Sequence, residues 1–268
     1  MTAESVLATV EAEIRSAIAS LSTDAAVRIA AVIAGLGPLT VHLFDEPMSN
    51  DVAVLIQDCF RTEPLGQSVG KTEESEREGF SGLVSFLTES ARSQRSLKKQ
   101  TSVVVKAGDK IVALSVSCPR NELFEYYKHD ENEVLTPKER VERSFRLLNN
   151  LGVPELDKRG LPFDNALEIV FGVVHPDFRG PLRGDTFGSR LDFKVFSIFQ
   201  RLTFLVEELA RESGYTSLFS HSHDGSAMRR AECGWEEIVS IPFAEYPKNV
   251  AVSPVAGRSH KFMYKRLK

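Results

Sequence analysis

A metal site and a disulfide framework are the first things this sequence lacks. Its three cysteines, Cys59, Cys118 and Cys233, are odd in number and show no metal-ligand spacing. They read as reduced thiols, which belong to an intracellular chain. No apolar run reaches membrane-spanning length, and the N-terminus shows no basic-then-apolar leader. The cytoplasm is therefore the expected compartment, with no membrane partner. Positive charge is not in excess either: the formal net charge is −4. A chain of that balance is not built for nonspecific nucleic-acid binding. Internal repeats and low-complexity tracts are absent. No Gly-Lys-Ser/Thr closes a phosphate loop, and the glycines are spaced wrongly for a dinucleotide fingerprint.

What is present is a normal supply of core residues. Hydrophobic residues make up 42% and charged residues 26% of 268 positions. That suits one large domain, or one domain with an extension. The chain is organised around residues 170–189. Ile169 to Val174 is β-branched and aromatic apart from Gly172, and reads as a strand that Pro176 ends. A glycine- and arginine-rich loop follows, carrying Arg179, Gly180, Arg183, Gly184, Thr186 and Gly188. From Ser189 to about Ser213 the apolar positions recur at helical spacing, and Gly214 is placed to cap the end. A strand, a loop of this kind and a helix N-terminus together make an anion site. Orphan N–H groups and the helix dipole favour negative charge there.

The rest of the chain supplies the frame. Residues 4–20 and 24–34 read as Ala-rich helices, giving an N-terminal helical extension over residues 1–37. Residues 39–44 read as a strand, 51–60 and 80–93 as helices, and 66–77 as a polar loop. A hairpin at 101–117 turns at Gly108-Asp109. Residues 119–135 read as irregular, and Thr136-Pro137-Lys138-Glu139 is a capping box opening a helix to about Asn150. A Pro/Gly-rich loop is expected at 152–164. After Gly214 come a strand at 216–221, a helix through Ala231 that begins at Ser222 or Asp224, and strands at 236–241 and 259–267.

Three stretches carry a resemblance. Val174-His-Pro-Asp-Phe-Arg179-Gly180 and Arg183-Gly-Asp-Thr186-Phe-Gly188 resemble the coenzyme A loop of the GNAT acetyltransferase superfamily. Here the Arg-Gly is doubled, and Thr186 stands where glycine is usual. Phe60-Arg-Thr-Glu63-Pro64-Leu65 resembles the Phe-x-x-Glu-Pro-Leu segment of invertebrate arylalkylamine N-acetyltransferase-like proteins. Ser222-His-Asp-Gly-Ser226, with Gly234-Trp235 following, resembles their paired-serine segment. The resemblance implies an α/β (α+β) GNAT fold over residues 38–268, with a mixed, V-split sheet. It implies acetyl-CoA as cosubstrate, bound at Gly172, Val173, Val174, Arg179, Gly180, Arg183, Gly184, Thr186, Gly188 and Ser189, and no metal. It also implies a small primary amine, an arylalkylamine, as acceptor. In that group Glu63 would be the general base, with Ser222 and Ser226 beside the reacting centre.

The chemistry needs such residues. A primary amine with a pKa near ~10 is neutral in only about one molecule in 10³ at pH 7, so a carboxylate that takes its proton removes a handicap. Plainer readings stand beside this one. Glu63 also suits a solvated helix end, and Ser222 and Ser226 suit a helix cap and a helix surface. Asp45-Glu46-Pro47 is a second acid-Pro pair, without the Phe-x-x lead. His221 and His223 have no third ligand spaced to join them on a metal. Cys118 and Cys233 have no histidine partner that the sequence can place. Two other functions remain open: acetylation of a polyamine, a protein N-terminus or a lysine, and a non-catalytic acyl-CoA-binding module. The oligomeric state is not legible.

Overall fold

The computed structural model describes residues 23–34, 36–60, 64–70, 73–97, 99–126, 136–179, 197–252 and 255–267. The expected helix at 4–20 lies outside them. So do Glu63 and the loop residues Gly180, Arg183, Gly184, Thr186, Gly188 and Ser189.

Eight α-helices and seven strands are described. In chain order they are α1 (Thr23–Ala34), β1 (Thr40–Leu43), α2 (Ser49–Phe60), α3 (Pro64–Ser68), α4 (Glu73–Ser96), β2 (Val103–Ala107), β3 (Lys110–Pro119), α5 (Arg120–Tyr126), α6 (Pro137–Lys158), β4 (Ala166–Val174), α7 (Ile198–Glu212), β5 (Ser217–His223), α8 (Asp224–Glu232), β6 (Glu236–Pro242) and β7 (Ser259–Arg266). The strands form one sheet in the order β1-β2-β3-β4-β5-β7-β6. Every described pairing is antiparallel except β4 with β5.

That parallel pair shapes the molecule. It is joined only at Ala166–Ser217, Leu167–Leu218 and Glu168–Phe219. Beyond Glu168, β4 stays on β3 as far as Val174, while β5 stays on β7 as far as His223. The two strands therefore part, and the sheet splits in a V. The β5-facing edge of Ile169–Val174 has no ladder partner among the described residues.

Both faces of the sheet are covered. On one face α1 and α7 bury Ile29, Ile33, Leu202, Leu205 and Leu209 against Leu167, Ile169 and Leu218. Arg28 Nε donates to Glu208 Oε2 at 2.8 Å, which ties α1 to α7. On the other face α2 and α4 pack Leu55, Ile56, Val84 and Leu87 against Leu114 and Val116. The central strand β3 is buried through its middle, as expected of a strand covered on both sides.

Several expectations on local structure give way to packing. The helix expected to stop near Asn150 runs on to Lys158 with Pro154 inside it. Proline removes one intrahelical hydrogen bond, but Leu156 on the extension is fully buried beside Phe219 and Tyr264. Burial of that kind outweighs local propensity. Gly152 permits the approach, because a Cβ there would lie 2.8 Å from the Phe262 ring. Residues expected to be irregular at 120–126 form α5, anchored by fully buried Leu123. The polar stretch expected as a loop at 66–77 includes most of α3 and the start of α4. The long central helix opens at Ile198 with Ser197 as its N-cap, not at Ser189. Ser197 forms a capping box with Gln200, which the helical periodicity upstream concealed. The hairpin turns at Gly108 in the left-handed region, φ 59, and Gly214 ends α7 at φ 84.

Candidate active site

The split holds a cavity of about 350 Å³. Its walls come from every element that the V brings together. Strand β4 contributes Gly172, Val173 and Val174, and the single turn after it contributes Arg179. The first residues of α7 reach it from one side. Ser220 and Ser222 come from β5, and Ser226 with Arg230 from α8. Cys59 and Phe60, at the end of α2, close another side. The structure thus gathers Gly172, Val173, Val174, Arg179, Ser222 and Ser226 around one space, although they span distant parts of the chain.

Strand β5 explains how the cavity becomes polar. Its sequence Ser-Leu-Phe-Ser-His-Ser-His alternates, and a strand sends successive side chains to opposite faces. Ser220 and Ser222 share one face, their hydroxyls 3.4 Å apart. His221 lies on the other. Its Nδ1 is 2.7 Å from Glu168 Oε1, and its Nε2 is 2.8 Å from Asn149 Oδ1. Its ring stacks on Phe145 at 4.8 Å. His260 lines the same cavity and shares a hydrogen bond with the Tyr246 hydroxyl at 3.0 Å. Burial, then the nearby His221 and His223, hold the His260 imidazole well below the usual histidine range.

Ser226 donates to the His223 carbonyl at 3.1 Å, in the first turn of α8. Ser222 is a strand residue, not the helix cap that the sequence offered as its plainer role; the cap position is His223. The Ser222 hydroxyl accepts from Arg230 Nε at 3.3 Å. Arg230 is only 2% exposed. Its guanidinium sits 4.6 Å over the Trp235 ring and 5.3 Å from the Phe199 ring. Burial lowers its pKa to about 10, so it remains a cation at neutral pH.

Nothing in the sequence reading singled out Arg230, Ser220 or the Glu168–His221 pair. The available signal was a strand of serine and histidine flanked by apolar neighbours, where a buried strand usually carries branched apolar residues. Arg229-Arg230 looks like a solvated pair, and only packing separates them: Arg229 reaches Glu232 at the surface while Arg230 turns inward.

The site can hold an extended amide-bearing arm and an anion. Past Glu168, where its ladder with β5 ends, β4 lines the cavity with Gly172 and Val173 and offers backbone groups to such an arm. The N-terminus of α7 faces the same cavity through Ser197, Ile198 and Phe199. Its capping box satisfies Ser197 and Gln200, leaving the orphan N–H groups of the first turn for an anion. Arg179 Nε is tied to the Val174 carbonyl at 2.9 Å, so that side chain closes the strand end. Among the described residues no cluster of three or more His, Cys, Asp or Glu side chains could hold a metal.

A parallel pair that splits beyond its first residues, with a helix N-terminus at the opening, is the architecture of the GNAT acetyltransferases, and this chain has that fold. Solved structures with it include a mosquito arylalkylamine N-acetyltransferase-like 5b, at 16% identity and TM-score 0.61, covering 85% of this chain and 100% of the other. A Drosophila melanogaster polyamine N-acetyltransferase that forms N-acetylagmatine gives the same values. The C-terminal condensation domain of Ebony, solved with β-alanyl-dopamine, aligns at 12% identity and TM-score 0.58, covering 85% of this chain and 98% of that one. No family model matches the chain, and no curated protein matches it.

Proposed function

We propose that this protein transfers an acetyl group from acetyl-CoA to the primary amine of a small arylalkylamine. The observation that carries the reading is the V-split itself. It places the stretch of β4 beyond the β5 ladder, a helix N-terminus and the paired serines around one cavity. Acetyl-CoA would lie with its amide-bearing arm along Gly172, Val173 and Val174 and its phosphates toward the α7 N-terminus and the Arg183–Gly188 loop. The thioester it supplies when bound is the acyl source.

The amine nitrogen attacks the thioester carbonyl carbon directly. Glu63 takes the amine's proton, and a backbone N–H of β4 stabilises the oxygen as it gains charge. Ser222 and Ser226 flank the reacting atoms. The described wall favours a monoamine over a polyamine. It includes Arg179 and Arg230 and no described carboxylate, so a polycation would meet like charge. Phe60 and Phe145 offer an aryl ring apolar contact.

Free-CoA release from acetyl-CoA across a panel of aryl, alkyl, polyamine and peptide amines tests the reading. Turnover highest on arylalkylamines supports it. Highest turnover on agmatine or spermidine would overturn the substrate class. Tight acetyl-CoA binding with no turnover on any amine would make the protein an acyl-CoA-binding module.

A further inference from the structure

Arg230 is a buried cation with an unmade bond. Its Nε is used by Ser222, but Nη1 has no hydrogen-bond partner among the described residues. Nη2 would lie 3.4 Å from a Cβ at Gly172, so the guanidinium sits under the stretch of β4 that edges the cleft. Carboxylates act on it only from a distance: Glu207 is engaged by the Trp235 indole at 2.7 Å and by Lys265 at 3.7 Å, and Glu168 is held by His221. The remaining polar neighbour, the Cys233 thiol, is pushed up to about 12 by burial and stays neutral. A desolvated charge with no contacting counter-charge among the described residues is expensive to keep. The fold nevertheless holds it rigidly between Trp235 and Phe199, at the wall of the cavity.

Resting on the function proposed above, we propose that Arg230 binds the sulfur of coenzyme A as the thiolate it becomes when it leaves. In the reaction the nitrogen lone pair forms the C–N bond. The C–S bond then breaks, and its electron pair goes to sulfur. The amine's proton goes to the base, so the sulfur departs as an anion that needs a counter-charge. The thioester is neutral and the leaving sulfur is not, so a cation here favours the transition state over the bound substrate. An adjacent arginine is also known to lower a thiol's pKa. Arg230 would do the work through charge that Ser226, a weak acid, cannot do through a proton.

Titration calorimetry with CoA and with desulfo-CoA, which lacks only the sulfur, reads this without any amine or turnover. The parent protein should bind CoA about 10- to 100-fold more tightly, the worth of a hydrogen bond to a charged group. The bound CoA should show the ultraviolet absorbance of a thiolate at pH 7. Arg230→Met keeps the volume and removes the charge; it should bring the two dissociation constants within about twofold and abolish the absorbance. Arg230→Lys should restore part of both. Equal binding of the two ligands by the parent, or a preference that survives in Arg230→Met, overturns the proposal. If the Met variant does not fold, the parent's ratio and the Lys variant still decide. Failure of the parent to bind either ligand sinks the acyl-CoA reading itself, which is a separate result.

Discussion

If the proposed function holds, an amine reaching this cleft at neutral pH arrives as an ammonium ion, so one carboxylate should dominate the rate. Glu63→Gln keeps shape and hydrogen bonding but loses proton affinity. Its turnover should fall by about 10²–10⁴ while CoA affinity is unchanged. The loss should shrink as pH rises toward the amine pKa, because solvent then supplies the neutral nucleophile. Steady-state rates between pH 7 and pH 9.5 check this; a Gln variant within twofold of the parent would falsify the base assignment. Ser226→Ala should cost only about tenfold, the worth of one lost hydrogen bond. His260 makes a different prediction, about stability. Its folded pKa lies below the unfolded value of 6.5. The unfolded chain therefore takes up the proton first, and this residue's contribution to stability is lost as pH falls below 6.5. Relative to a His260→Gln variant, the parent should lose up to about 1.4 kcal/mol per pH unit below that point. Denaturant titrations of both proteins at pH 7.5 and 5.5 measure the difference.

Helix α6 shows how an element obeys its contacts more than its composition. Its start was legible, because Thr136 and Glu139 cap each other, and Pro137 suits the first helical position. Its end was not, because Gly152 and Pro154 read as breakers. Gly152→Ala would raise helix propensity on paper, yet should destabilise the protein by about 1–3 kcal/mol through overpacking against Phe262. Unchanged or raised stability in urea would mean the ring moves aside freely. For α7 the lesson is reversed. The apolar stripe from 198 onward was correctly assigned to a helix and is buried. Its opening was misplaced because the upstream residues keep an apolar rhythm, and the Ser197–Gln200 box is a weaker signal than periodicity.

Across the whole molecule, ligand binding and folding are linked. Acetyl-CoA at about 100 times its dissociation constant should stabilise the protein by ~2.7 kcal/mol, seen as a higher melting temperature. If the Arg183–Gly188 loop holds the phosphates as proposed, Gly188→Asp should abolish the shift, since a Cβ and a negative charge would meet them. An undiminished shift would put the anion site elsewhere. Arg183→Ala should weaken CoA more than Arg179→Ala, because the Arg179 head is already committed to the Val174 carbonyl. The reverse order of dissociation constants would make the first Arg-Gly the phosphate-binding one.

The sequence by itself determined the order of the strands and of the longer helices, the hairpin at Gly108, the caps at Thr136 and Gly214, and the GNAT fold through short local motifs. Those features arise from residues close together in the chain, where period, turn chemistry and capping act directly. Only the tertiary structure decided that Ser220, Ser222, Ser226 and Arg230 meet in one cavity and that Arg230, not Arg229, is the buried cation. The same holds for the continuation of α6 through a proline. Each depends on where β4 and β5 part and on which side chains that parting leaves without a neighbour. No local pattern encodes it, because the strands that separate are joined through α7 and meet only when the sheet closes.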